Sequence, residues 1–193
     1  YLNQICGQDE LVFDGASFIL NADRSLTVQM PGWKENLVVT DWRRQADGSW
    51  KCETEELTDP GSEMERIYHA MVLGLKDYVE KNRFPGVVLG LSGGIDSALS
   101  AAVAVDALGA ERVHCVMMPS KYTSKESLDD AAECARLLKT RLDTISIVPA
   151  VEAFDVMLRE PFAGLEPDIT EENIQSRIRG MTLMALSNKL GHM

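Results

Sequence analysis

Apolar residues recur with two different periods along this chain, and the change falls near residue 60. Upstream, short apolar runs of strand length alternate with turn-forming residues. Residues 11–20 form two such runs separated by Asp14, Gly15 and Ala16, residues 21–24 are turn-like, and residues 25–30 alternate polar and apolar side chains. Residues 35–42 predict a further strand, followed by a polar turn at 46–49. The acidic stretch 53–65, with Pro60 and Gly61, reads as a linker running into a helix start. These patterns place a domain boundary between a β-rich part, 1–57, and a second part, 58–193.

Downstream the spacing becomes helical. Met64, Ile67, Tyr68, Met71, Val72, Leu75 and Val79 define one face of a helix that Phe84, Pro85 and Gly86 end. Residues 87–91 are a short apolar run of the kind found in strands buried on both faces. A small-residue helix follows, closed by Gly109. Residues 112–119 predict a second buried strand, and Thr123 with Glu126 suggests a capping box opening the next helix. A third strand is expected over 143–149, a helix over 151–162, and a last helix from Thr170. Strands alternating with helices imply a parallel, doubly wound α/β sheet. Ligands of such sheets lie beyond the carboxyl ends of the strands, where 92–97 and 119–124 would both fall.

Composition narrows the partners. The net charge of −11 argues against a general nucleic-acid binder. No apolar run approaches the roughly 18 residues a membrane span needs. Cys6, Cys52, Cys115 and Cys134 are widely spaced, which suits four reduced thiols of a cytosolic protein, not disulfides or zinc. The three histidines are scattered, so no metal cluster or Ser–His–Asp arrangement is visible. The start at Tyr1, within strand-like sequence, suggests a piece of something longer.

The densest chemical signal is Gly90, Leu91, Ser92, Gly93, Gly94, Ile95, Asp96 and Ser97, between the first buried strand and its helix. Glycines at 93 and 94 allow unusual backbone angles and close approach of the main chain to a ligand. Successive N–H groups there can nest an anion, and the helix N-terminus adds its positive end. Asp96 repels phosphate but can hold a magnesium ion that bridges to it. The loop lacks the lysine and the ending of a Walker A motif, so it suits a grip on a leaving group. The alternative is a Gly-Gly turn with Asp96 and Ser97 as a helix cap; the second strand ending beside the loop favours the ligand site. Asn173 and Arg177 lie four apart on one helix face and can grip a carboxylate or phosphate. On the residues alone, a solvated face paired to Glu171 or Glu172 remains open. Lys121 and Ser124 either reach phosphate or ribose or belong to an ordinary capped turn.

SGGIDS after a buried strand resembles the pyrophosphate loop of the ATP pyrophosphatases, a group with an adenine-nucleotide α-hydrolase-like fold. ENIQSRIRG, which matches E-N-x-Q-x-R-x-R, is similar to the substrate helix of the NAD synthetases within that group, and MPSKYTS is similar to their second strand end. GQDELVFDGASFILNADRSL resembles the last strands of the nitrilase-type α-β-β-α glutaminase domain that precedes glutamine-dependent members. The resemblance implies ATP and magnesium as cofactors, deamido-NAD and glutamine or ammonia as substrates, and a homodimer built through the synthetase domains. It implies ATP binding by residues 90–97, magnesium at Asp96, and deamido-NAD at Asn173, Arg177 and Arg179. The glutaminase triad of the family would lie upstream of Tyr1, so Cys6 is not its nucleophile. Another ATP pyrophosphatase, of GMP-synthetase type, or a non-catalytic nucleotide-binding domain are the competing readings.

Overall fold

The computed structural model describes residues 1–193, which divide into two compact units, 1–78 and 79–193. The first unit is β-rich. Strands β1 (Ile5–Gln8) and β2 (Leu11–Asp14) form an antiparallel hairpin. Strands β3 (Phe18–Leu20) and β4 (Leu26–Gln29) pair antiparallel, and β7 (Glu56–Leu57) joins β4 in parallel. Between them β5 (Trp42–Arg44) and β6 (Trp50–Cys52) make a second hairpin around the expected turn. The strand expected over 35–42 is absent: Leu37 and Val39 are more than four-fifths exposed, so their apolar alternation finds no sheet to pack on.

Helix α1 (Glu63–Lys81) follows the expected span to within a residue at each end. Most of it belongs to the first unit, where the Asp77 carboxylate accepts the Gly7 N–H at 2.8 Å and His69 stacks on Trp33.

The second unit is a three-stranded parallel sheet in which the strand Val113–Met117 lies between Arg141–Thr144 and Val87–Gly90. Its elements are β8 (Val87–Gly90), α2 (Ile95–Leu108), β9 (Val113–Met117), α3 (Lys125–Leu138), β10 (Arg141–Thr144), α4 (Val148–Leu158) and α5 (Ile169–Leu190). Buried alanines, Ala101 and Ala104 of α2 and Ala131 and Ala135 of α3, let these two helices pack closely. On the other side Val116, Met118, Ile147 and Ile178 form a core closed by residues of α4 and α5, including Phe154 and Leu183.

Beyond β8, on the edge away from β9, the Met193 N–H donates to the Gly86 carbonyl at 2.9 Å and its carbonyl accepts the Val88 N–H at 2.8 Å. The chain thus leaves β8 toward β9 and returns to β8 on its opposite edge. Such a reversal of direction opens a crevice at the carboxyl end of the strand where it occurs.

Two boundaries differ from expectation. The third strand ends at Thr144, and residues 148 and 149 already belong to α4, because proline is well tolerated in a helix's first turn. The cap of α3 is Ser124, not Thr123: the Ser124 hydroxyl accepts the Ser127 N–H at 3.1 Å, while the Thr123 hydroxyl accepts the Ser120 N–H in the preceding turn.

Candidate nucleotide site

The loop after β8 lies at the carboxyl end of that strand, where the chain reverses direction. Gly93 takes a φ of 87°, and a Cβ there would run into the Ser127 carbonyl oxygen of α3. Glycine is therefore required at 93 both for conformation and for space. Gly94 differs from expectation, since its φ of −84° and ψ of 156° are open to any residue.

Two hydroxyls tie the loop together. Ser92 Oγ and Ser97 Oγ are 3.1 Å apart, the Ser92 N–H donates to Ser97 Oγ at 3.2 Å, and Ser97 Oγ donates to the Gly94 carbonyl at 2.9 Å. Neither Asp96 nor Ser97 caps α2: the helix opens at Gly94 with no side-chain cap, and the Gly94 N–H donates back to Ser92 Oγ at 3.3 Å. Its first-turn N–H groups, which have no partner within a helix, are left for a ligand or water. Helices α3 and α5, by contrast, carry side-chain caps at Ser124 and Asp168. Hydrogen bonds from Thr170, side chain first and N–H second, hold the Asp168 carboxyl below its ordinary range.

Below the loop lies a crevice of about 570 Å³, reached by Leu91 and Ser92 from the loop and by Met118 and Pro119 from the end of β9. Thr123 and Ser127 form its α3 side, and Ser176, Arg179 and Leu183 its α5 side. The two strand ends expected to cooperate do meet here. Ile95 and Asp96 are exposed in the first turn of α2 and, like Gly93, Gly94 and Ser97, do not themselves line the crevice.

No group of three or more His, Cys, Asp or Glu side chains stands together. Asp96 therefore fits magnesium only in the manner of a single carboxylate beside phosphate oxygens and water.

The last-helix residues do not form one cluster. Asn173 and Arg177 are exposed, with Arg177 Nη1 donating to the Asn173 carbonyl at 3.2 Å. Arg179 turns instead to the crevice, where its Nε donates to the Met118 carbonyl at 3.2 Å. Lys121 lies over the Tyr122 ring, 5.0 Å from its centre, and the Ser124 hydroxyl is occupied as a helix cap. Sequence reasoning missed Ser127 and Ser176; for Ser176, the spacing of three to Arg179 is the available signal.

All four cysteines are free, and burial raises the Cys115 thiol above its ordinary range. No helix is long and apolar enough to cross a membrane.

A doubly wound parallel sheet with an uncapped glycine loop at its point of reversal defines a class of α/β domains that take their ligands at the carboxyl ends of the strands. Residues 67–193 match the family model described as NAD synthase, and the chain belongs to that family. It is 55% identical over its whole length to a glutamine-dependent NAD(+) synthetase of Rhodobacter capsulatus and 45% identical to that of Acinetobacter baylyi, covering 35% of each. The structure of glutamine-dependent NAD+ synthetase from Acinetobacter baumannii, in complex with adenosine diphosphate, superposes on the whole chain with a TM-score of 0.92 and 46% identity. The chain covers 36% of that structure. An NMN synthetase from Francisella tularensis matches 68% of the chain with a TM-score of 0.61 and 30% identity, 53% of its own length being covered. The chain thus spans about a third of the curated relatives it matches.

Proposed function

We propose that this chain is the nucleotide-activating part of a glutamine-dependent NAD synthetase, an ATP-consuming ligase that forms a C–N bond. The nicotinate carboxylate of deamido-NAD attacks the α-phosphorus of ATP, the bond to pyrophosphate breaks, and an acyl adenylate forms. Ammonia, derived from glutamine, then adds to the acyl carbon, AMP leaves, and one proton is released with formation of the amide of NAD. No side-chain nucleophile is required, because ammonia attacks directly. The protein's task is to orient the reactants and stabilise the charge that gathers on the leaving group.

The uncapped N-terminus of α2 beside the Ser92–Ser97 hydroxyl pair carries this reading. The Gly93 N–H, the hydroxyls of Ser92 and Ser97 and, once its 3.3 Å bond to Ser92 Oγ is exchanged for a phosphate oxygen, the Gly94 N–H are suited to hold pyrophosphate. Asp96 would hold magnesium, which supplies positive charge to the phosphate oxygens when bound. Asn173 and Arg177, side by side on the exposed face of α5, would grip deamido-NAD. The β-rich residues 1–57 would be the C-terminal part of the glutaminase domain. Two synthetase domains would pair, a reading that the exposed Met181 and Met184 on α5 support.

ATP–pyrophosphate exchange by the whole protein, with and without deamido-NAD, tests the reading. Exchange that depends on both magnesium and deamido-NAD is expected. Nucleotide binding without such exchange would make this a binding module instead, and exchange driven by a different carboxylate would make it another ATP pyrophosphatase.

A further inference from the structure

Arg177 and Arg179 are two residues apart, about 200° around a helix, and therefore occupy opposite faces of α5. The outer one, Arg177, is exposed and bonded to its own helix. The inner one is half-buried and reaches across to the end of β9. Among the residues lining the crevice, Arg179 is the sole ionised side chain. Its partner there is a neutral carbonyl, that of Met118, and no carboxylate lies within ion-pair distance of it.

That isolation is informative in a chain with 30 acidic and 19 basic residues. A half-buried cation is costly without a counter-charge, and acidic side chains were plentiful enough to supply one. The bond from Nε to Met118 fixes the plane of the guanidinium and leaves its two terminal NH2 groups uncommitted. A planar pair of donors held in this way matches two oxygens of a phosphate. Gly180, next in sequence, adds no side chain beside it, and the hydroxyl of Ser92 lines the same crevice.

We infer that Arg179 serves the nucleotide, not the acyl substrate: it is the cation that binds ATP phosphate from the α5 wall of the crevice, opposite in role to the exposed Arg177. The inference rests on the crevice being the ATP site. It divides the last-helix motif into an outward pair for deamido-NAD and an inward arginine for ATP.

The test uses the whole protein with Arg179→Gln and Arg179→Lys, with thermal melting to confirm that each folds. In Arg179→Gln, ATP affinity should fall about tenfold or more, the worth of a charge-assisted hydrogen bond. Adenosine affinity and the KM for deamido-NAD should stay within about twofold, since neither contact is touched. Arg179→Lys should fall between, keeping the charge but losing the fork. Equal losses for adenosine and ATP would overturn the assignment, leaving Arg179 as a brace for Met118. A rise confined to the deamido-NAD KM, or unchanged ATP affinity in a folded variant, would overturn it as well. Unmutated protein that binds no ATP would sink the nucleotide site itself; normal binding there, with no change in Arg179→Gln, sinks only the arginine's role.

Discussion

At Gly93 the backbone adopts φ 87° with its α-carbon turned toward the Ser127 carbonyl. An alanine there meets two penalties: roughly 1–2 kcal/mol for a left-handed L-residue, and displacement of the first turn of α3. Gly93→Ala should therefore slow ATP–pyrophosphate exchange by about tenfold or more with a lowered melting temperature. Gly94→Ala should be milder, because its backbone is ordinary and a Cβ would meet only Ser92 Oγ at 3.4 Å. Equal effects of the two changes in the exchange assay would contradict this contrast. Asp96 sits exposed in the first turn of α2 with no competing ion pair. Asp96→Ala is expected to abolish magnesium-dependent exchange while leaving the melting temperature nearly unchanged; retained exchange would remove the metal from this residue. At this scale the loop was legible because it gathers residue types of one chemistry at adjacent positions. Two finer points were not. Sequence cannot separate the φ of neighbouring glycines, and the resemblance that adds Arg179 to Asn173 and Arg177 does not reveal that two residues of helix turn its side chain to the face opposite Arg177.

The helices were read from sequence more faithfully than the short strands, for a physical reason. An amphipathic helix of 19 residues repeats its pattern over several turns, whereas a strand of three or four residues offers two contacts per face. Leu37 and Val39 carry a strand-like alternation but are exposed, while the real hairpin begins at Trp42. Likewise the run from 143 to 149 mixes a strand end with a helix start, and only tertiary pairing separates them: Ile145 and Ile147 still donate to Met117 and Pro119 after the strand has ended. Helix α5 shows how one element positions both faces of the site. Ile178 is buried against Val116 and Met118, between Arg177 and Arg179 in sequence, so it sets the rotation of the whole helix. Ile178→Ala should cost about 2–5 kcal/mol of stability, read from a urea denaturation midpoint. It should also weaken both ATP and deamido-NAD, because the two arginines turn with the same helix. Loss of stability with unchanged binding of both would argue that the flanking caps alone fix α5.

Over the whole molecule, the parallel sheet was legible from the alternation of buried strands and helices, while the return of the chain to the outer edge of β8 was not, since it depends on two backbone hydrogen bonds made by Met193. That return has an electrostatic consequence far from the loop. His192 is brought edge-on to the buried His114, with ring centres 6.5 Å apart, and His114 Nε2 meets the Asp143 carboxylate at 2.9 Å. Burial first, then repulsion from His114 and Arg141, lowers the His192 pKa below its ordinary value. In acid the unfolded chain takes up a proton at His192 before the folded one does, so the stability that His192 contributes declines as pH falls through about 6.5 and below, the ordinary histidine range. Asp143 acts at lower pH: the Arg141 hydrogen bond chiefly, with His114, holds its carboxyl below the usual range. Its contribution is complete above about pH 4 and disappears as pH falls through the lowered folded value. Denaturation midpoints measured from pH 7.5 downward should therefore show two descending segments. His192→Phe keeps a ring at this position but cannot titrate, so it should flatten the segment near neutrality and leave the acid one in place. If His192→Phe leaves the near-neutral segment unchanged, His192 is not shielded in solution as its place beside His114 requires, and this account of the segment is wrong.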